Sequence, residues 1–204
     1  MTVEDMKAAI ETKSADEIYD EYFISGEVWI FKNLFGEHWF EQYDKFKKYI
    51  AQKLGVHYNN IGIAGSAKLG FSLNPTKNFK TFNDRSDIDI IIVSQKLFIE
   101  FWEQYLRDSY NPTTRINNMH HVSFCVFRKY MTLDSFRNNE YYNDWLRKTG
   151  GFEKDIQLHF QIENEIHYRI FESWDSVKMY YMSSINELKD SKEGENNYEY
   201  NADN

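Results

Sequence analysis

Two stretches decide the fold: Ile61-Gly62-Ile63-Ala64-Gly65-Ser66, and Ser86-Asp87-Ile88-Asp89-Ile90-Ile91-Ile92-Val93. The first is a short apolar run that stops at a glycine and a serine, which reads as a buried strand ending in a turn. The second is β-branched and apolar apart from its two aspartates, and reads as a strand from 87 to 94. Side chains alternate along a strand, so Asp87 and Asp89 share one face while Ile88 and Ile90 take the other. Two carboxylates about 7 Å apart at Cα repel each other and lose hydration. Mg²⁺ removes that penalty, because it takes hard oxygen ligands and keeps room for water and phosphate. Glycine lets the backbone approach a phosphate closely, and a serine at a strand-to-helix turn adds a hydroxyl to outward-pointing amides. Asp87 and Asp89 therefore read as metal ligands, and Gly65 and Ser66 as a phosphate-binding turn.

Working outward, Ser14-Ala15-Asp16-Glu17 reads as a capping box, followed by a helix that turns Ile18, Tyr22 and Phe23 inward. Tyr43, Phe46, Ile50 and Leu54 recur at the helical period in a helix from Trp39 to Leu54, and Gly55 ends it. A helix starts near Ala67, residues 74–85 form a loop, and Leu97 to Leu106 marks another helix. Val122–Phe127 reads as a strand, and Asp155–Ile162 and Ile166–Phe171 read as a pair of strands. Ser173 caps a last helix with Trp174, Val177, Tyr181, Ile185 and Leu188 on its apolar face. The expected fold is a single α+β domain over 1–189, a mixed twisted sheet flanked by helices, with an acidic, solvated tail over 190–204.

The ordered set of strand, Gly-Ser, helix, loop and strand opening Asp-x-Asp resembles the polymerase-beta-like nucleotidyltransferase superfamily, most strongly over residues 61–93. The resemblance implies nucleotidyl transfer from an NTP or dNTP to a hydroxyl with release of pyrophosphate, with Mg²⁺ on Asp87 and Asp89. It also implies a third acid on a later strand. In Ile166-His167-Tyr168-Arg169-Ile170, His167 stands at that position as a candidate general base, and Asp155 is the other candidate. In size and layout the chain is similar to compact nucleotidyltransferases of bacterial antiphage defence, the Hailong type. That likeness implies synthesis of a short oligonucleotide, control of a membrane effector as partner, and priming on a C-terminal tyrosine, for which Tyr198 and Tyr200 are the candidates. A disordered tail with two ordinary tyrosines is the alternative. Single nucleotide transfer to a protein or tRNA, as a toxin or antitoxin, and a nucleotide- or partner-binding module without turnover are the other two readings.

Lys68 and Arg85 flank the motif as candidate triphosphate ligands, and Lys77 and Lys80 read as solvated loop charges. Arg169 shares a strand face with His167, so it reads either as a phosphate ligand or as one half of an ion pair. His120, His121 and Cys125 read as no joint metal site, since adjacent strand residues face opposite ways. The 204 residues are 42% hydrophobic and 18% aromatic, enough for a packed core. A net charge of −8 argues against stable binding of long nucleic acid, which needs a basic face. A single cysteine excludes an intrachain disulfide and suits a reducing compartment. With no apolar run long enough to span a membrane and no signal-like start, the expected location is cytoplasmic.

Overall fold

A computed structural model describes residues 1–24, 27–113, 116, 119–133 and 140–202, without the side chains of 140, 141, 148 and 192–202. Among these residues the chain is α+β with a four-stranded mixed sheet. Its strands are β1 (Ile61–Ala64), β2 (Ile88–Val93), β3 (Tyr130–Thr132) and β4 (Ile166–Phe171), in the order β1-β2-β4-β3. β1 runs antiparallel to β2, with Ala64 opposite Asp89. β4 runs parallel to β2, with Asp89 beside His167 and Ile91 beside Arg169. β3 closes the far edge, antiparallel to β4.

Helices cover both faces of the sheet, which is why β2 is apolar without alternation from Ile90 onward. One face presents Ile61, Ile63, Ile88, Ile90, Ile92, Tyr168 and Ile170. It packs against α3 (Trp29–Phe35), α4 (Trp39–Leu54), α6 (Gln95–Tyr110) and α8 (Glu140–Phe160). Phe31, Phe46 and Phe160 join three of these helices edge to face, at ring separations of 5.1 and 5.4 Å across Phe46. Each such pair adds about 0.5–1.5 kcal/mol to what burial of the rings already contributes. The other face presents Ala64, Ile91, Val93 and Phe171. It meets α1 (Val3–Thr12), α2 (Ala15–Ile18), a π-helical turn over Tyr19–Ile24, and α9 (Trp174–Ala202).

Several local signals act as the sequence suggests. The Ser14 hydroxyl accepts from the Glu17 amide at 3.3 Å, and the Glu17 carboxylate accepts from the Ser14 amide at 2.8 Å. The helix it caps is only α2, and the chain then widens into the π-helical turn. Gly55 ends α4 in the left-handed conformation at φ 68°. Ser173 caps α9 through its bond from the Ser176 amide, while Ser94, expected at the end of a strand, instead caps α6 by accepting from the Leu97 amide.

Two expected strands are helices. Val122–Phe127 belongs to α7 (Met119–Phe127), where Val122 and Cys125 are buried three residues apart. A short unbroken apolar run has no period that separates strand from helix. His121 and Cys125 therefore lie one helical turn apart, with Nε2 and Sγ 3.5 Å from each other. Asp155–Ile162 lies mostly in α8, whose Phe152, Ile156 and Phe160 are buried at four-residue spacing. Gly150 and Gly151 sit inside this helix and mask it in the sequence, since each costs about 1 kcal/mol relative to alanine. The side chains of Tyr198 and Tyr200 lie outside the described residues. No helix among the described residues is long and apolar enough to cross a membrane.

Candidate functional site

β1 ends where β2 and β4 begin, so three strand ends meet at one edge of the α9-covered face. The short helix α5 (Gly65–Leu69) leaves β1 there. Gly65 has φ +61°, and a Cβ on it would lie 2.9 Å from Oδ2 of Asp89. Both the left-handed backbone and the close approach require glycine at this position. The turn thus lies directly against the second aspartate of the Asp-x-Asp pair. Between them and α9 opens a cleft of about 350 Å³, lined by Gly65, Ser66, Asp87, Asp89 and Arg169 among others. Tyr180, Tyr181 and Glu187 of α9 form a further wall.

Asp89 is held from two sides. Its Oδ1 accepts from Arg169 Nε at 3.2 Å, while Oδ2 faces Gly65. Arg169 in turn donates from Nη1 to the Tyr180 hydroxyl at 2.9 Å. Burial works against the charge of this guanidinium, but the neighbouring Asp89 and tyrosines outweigh it and hold the group more firmly protonated than usual. Of the two readings of Arg169, the ion pair is the one observed.

A second cluster forms beside it. One ligand atom each from Asp87, Glu165 and His167 lie within 4.8 Å of one another. Glu165 Oε1 is 3.3 Å from His167 Nε2. The parallel register causes this: the Ile88 amide donates to the Glu165 carbonyl at 2.8 Å, which brings Glu165 alongside Asp87. Sequence reasoning missed Glu165. Glu165 immediately precedes β4, and its alternation with His167 and Arg169 puts it on their face, but only the register with β2 shows that it meets Asp87.

The loop before β2 supplies the cations. Arg85 lines the cleft, and so do Lys77 and Lys80, both exposed as solvated loop charges would be. Asn164 pins the loop by donating to the carbonyls of Asn83 and Ser86 at 3.2 and 2.8 Å. Lys68 is not in this cleft. It is 5% exposed and lines a second cleft with Tyr22, Trp29 and Lys32. Burial pushes its amine down to about 8. Asp155 is also elsewhere: it sits on α8 and accepts from the Tyr49 hydroxyl at 2.6 Å, and α8 packs on the opposite face of the sheet. Of the two candidates for the third position, only His167 shares the cluster with Asp87.

Comparison with family models, with curated proteins and with solved structures finds no match to the chain.

Proposed function

We propose that the cleft binds a nucleoside triphosphate and catalyses Mg²⁺-dependent nucleotidyl transfer to a hydroxyl, releasing pyrophosphate. The observation that carries this reading is the contact of Gly65 with Asp89. It sets the glycine turn and two aspartates in one cleft, beside the cationic side chains of Lys77, Lys80, Arg85 and Arg169.

The donor set suits a divalent ion. Asp87 and Glu165 offer carboxylate oxygens to the ion, and a ring nitrogen of His167 lies within 4.8 Å of an oxygen of each, left unbound as the base. Asp89 is not one of this group; its Oδ2, the oxygen that Arg169 leaves free, faces the Gly65 turn in the same cleft. An ion bound there supplies positive charge against the phosphates. The rest of the work is positioning and charge neutralisation by the chain itself. Gly65 and Ser66 admit the phosphates close to the backbone. Lys77, Lys80 and Arg85 balance the remaining negative charge and steer the triphosphate into an otherwise acidic molecule. His167, its ring oriented by Glu165, takes the proton from the attacking hydroxyl. Tyr180 and Arg169 keep Asp89 in one orientation.

The resemblance in sequence extends the proposal to an oligonucleotide product in antiphage defence, primed on Tyr198 or Tyr200. Incubation of the full chain with each labelled NTP and dNTP plus Mg²⁺, followed by product separation and intact mass, tests both levels. A product ladder is expected, and a nucleotide mass on the tail selects self-priming. A single nucleotide on an added protein or tRNA selects the one-transfer reading instead.

A second reading is favoured by the ion pair of Arg169 with Asp89. An aspartate already neutralised by arginine suits a triphosphate- or partner-binding module without turnover. Binding of a triphosphate with no pyrophosphate from any nucleotide selects it.

A further inference from the structure

α6 carries two apolar stripes. Phe98, Phe101 and Tyr105 are buried and face the core. Ile99, Trp102, Leu106 and Tyr110 also recur three and four residues apart, yet they stay exposed, Tyr110 by 80%. The neighbouring α7 extends this outer stripe with Met119, Phe124 and Phe127, the last 87% exposed. The two helices touch, since the Tyr105 hydroxyl lies 3.3 Å from Oγ of Ser123. Half of the large apolar side chains left exposed among the described residues thus lie on these two helices.

The area is large for a lone molecule. An aromatic side chain carries about 150–250 Å², so the four rings, at their exposures, show on the order of 500 Å² to solvent. The largest patch on a typical monomer is about 300–600 Å² in all. Adding Ile99, Leu106 and Met119 brings this one near the roughly 800 Å² that each partner gives to a standard interface.

The charges beside the stripe choose the occupant. Glu103 and Arg107 stand on one flank of it, one turn apart, with Oε2 and Nη1 separated by 3.6 Å. A two-fold axis across the middle of the stripe sets this flank against the same flank of a second copy that runs the opposite way. Glu103 then meets Arg107 of the partner subunit, and Arg107 meets the partner's Glu103. We propose that α6 and α7 form a symmetric homodimer interface, with α6 packed antiparallel on its copy and Glu103 and Arg107 paired reciprocally across it. A lipid surface suits the patch less well. Helices that lie on membranes carry lysine and arginine beside the apolar face, whereas here Glu100 and Glu103 alternate with Lys96 and Arg107 in a chain of net charge −8. α6 packs on the sheet face away from α9, so pairing leaves the first cleft open and does not depend on its chemistry.

The test is sedimentation equilibrium of the full chain from about 1 to 100 µM. The parent should move from 24.6 kDa toward twice that mass as concentration rises. Glu103→Arg and Arg107→Glu should each weaken pairing at least tenfold, because each sets like charges across the axis. Both side chains are more than half exposed, so neither exchange strains the fold, and circular dichroism checks this. Mixed in equal amounts, the two variants should pair with each other, and the double exchange in one chain should regain the parent's affinity. Phe127→Ser should also weaken the dimer, while Leu158→Ser, at an equally exposed position on α8, should not. A mass of 24.6 kDa at every concentration overturns the dimer. A dimer that survives both single exchanges, or that mixing fails to restore, overturns this interface. Binding of a monomeric chain to phosphatidylserine vesicles selects a lipid surface and overturns it equally.

Discussion

At the scale of single residues, Gly65 and Lys68 make opposite demands three positions apart. Gly65 is where the backbone must be bare. Alanine there meets a left-handed φ and an oxygen of Asp89 at 2.9 Å. The backbone penalty is about 1–2 kcal/mol. The displaced carboxylate should lower pyrophosphate release by roughly 100-fold, the effect of a small misplacement in a positioned site. Gly55→Ala is the control. Its φ is +68° and nothing lies within 4 Å of the added methyl, so it should show the loss in thermal stability and none in activity.

Lys68 is a charge held where water cannot reach it well. Its folded-state value of about 8 lies below the unfolded 10.5. Between those pH values the unfolded chain holds a proton that the folded chain has shed, so stability rises with pH across that window. The burial penalty is present in full below pH 8. Relative to the parent, Lys68→Met should thus be at its most favourable at pH 7. Denaturant titrations at pH 7 and pH 10 should show the advantage shrinking at the higher pH. A constant difference across that range would contradict a buried ammonium.

At the scale of elements, what was legible depended on whether a local signal had a competitor. The Ser14 and Ser173 caps rest on one side chain bonding its own neighbourhood and the Gly55 stop on a left-handed backbone, and each is where the sequence places it. Ser14→Ala should cost about 1 kcal/mol in a denaturant titration, since it removes the hydroxyl that accepts from the Glu17 amide, while the backbone amide at 14 still donates to the Glu17 carboxylate. β1 and β2 were legible because isoleucine and valine runs with a glycine break favour strands. α7 and the end of α8 were not. In α7 the apolar run carries no period, and in α8 two glycines interrupt a helix that tertiary packing restores through Phe152, Ile156 and Phe160. A wrong period also misplaced Asp155, and with it one candidate for the third catalytic position.

At the scale of the whole molecule, the site depends on strand order. Only a parallel β4 beside β2 sets His167 next to Asp89 and Glu165 next to Asp87. Neither neighbour is near in sequence, so the meeting of Glu165 with Asp87 was not readable until the register was known. Asp87, Asp89, Gly65, Ser66 and Arg85 were readable from one continuous stretch, and the fold gathers all five into one cleft. Lys68 came from the same stretch, but the turn of α5 carries it to the other side. A net charge of −8 surrounds this cleft, so its lysines and arginine form a local exception in an acidic molecule. Such a focus suits a small triphosphate better than a long polyanion.

The central claim is that the paired aspartates over the Gly65 turn transfer nucleotides. Its most direct measurement is pyrophosphate release by the full chain with Mg²⁺ and each NTP and dNTP, beside folded Asp87→Asn and Asp89→Asn variants. Release with at least one nucleotide is expected, with a fall of at least 100-fold in both variants. Equal release by the parent and both variants, or none from any nucleotide, would contradict it.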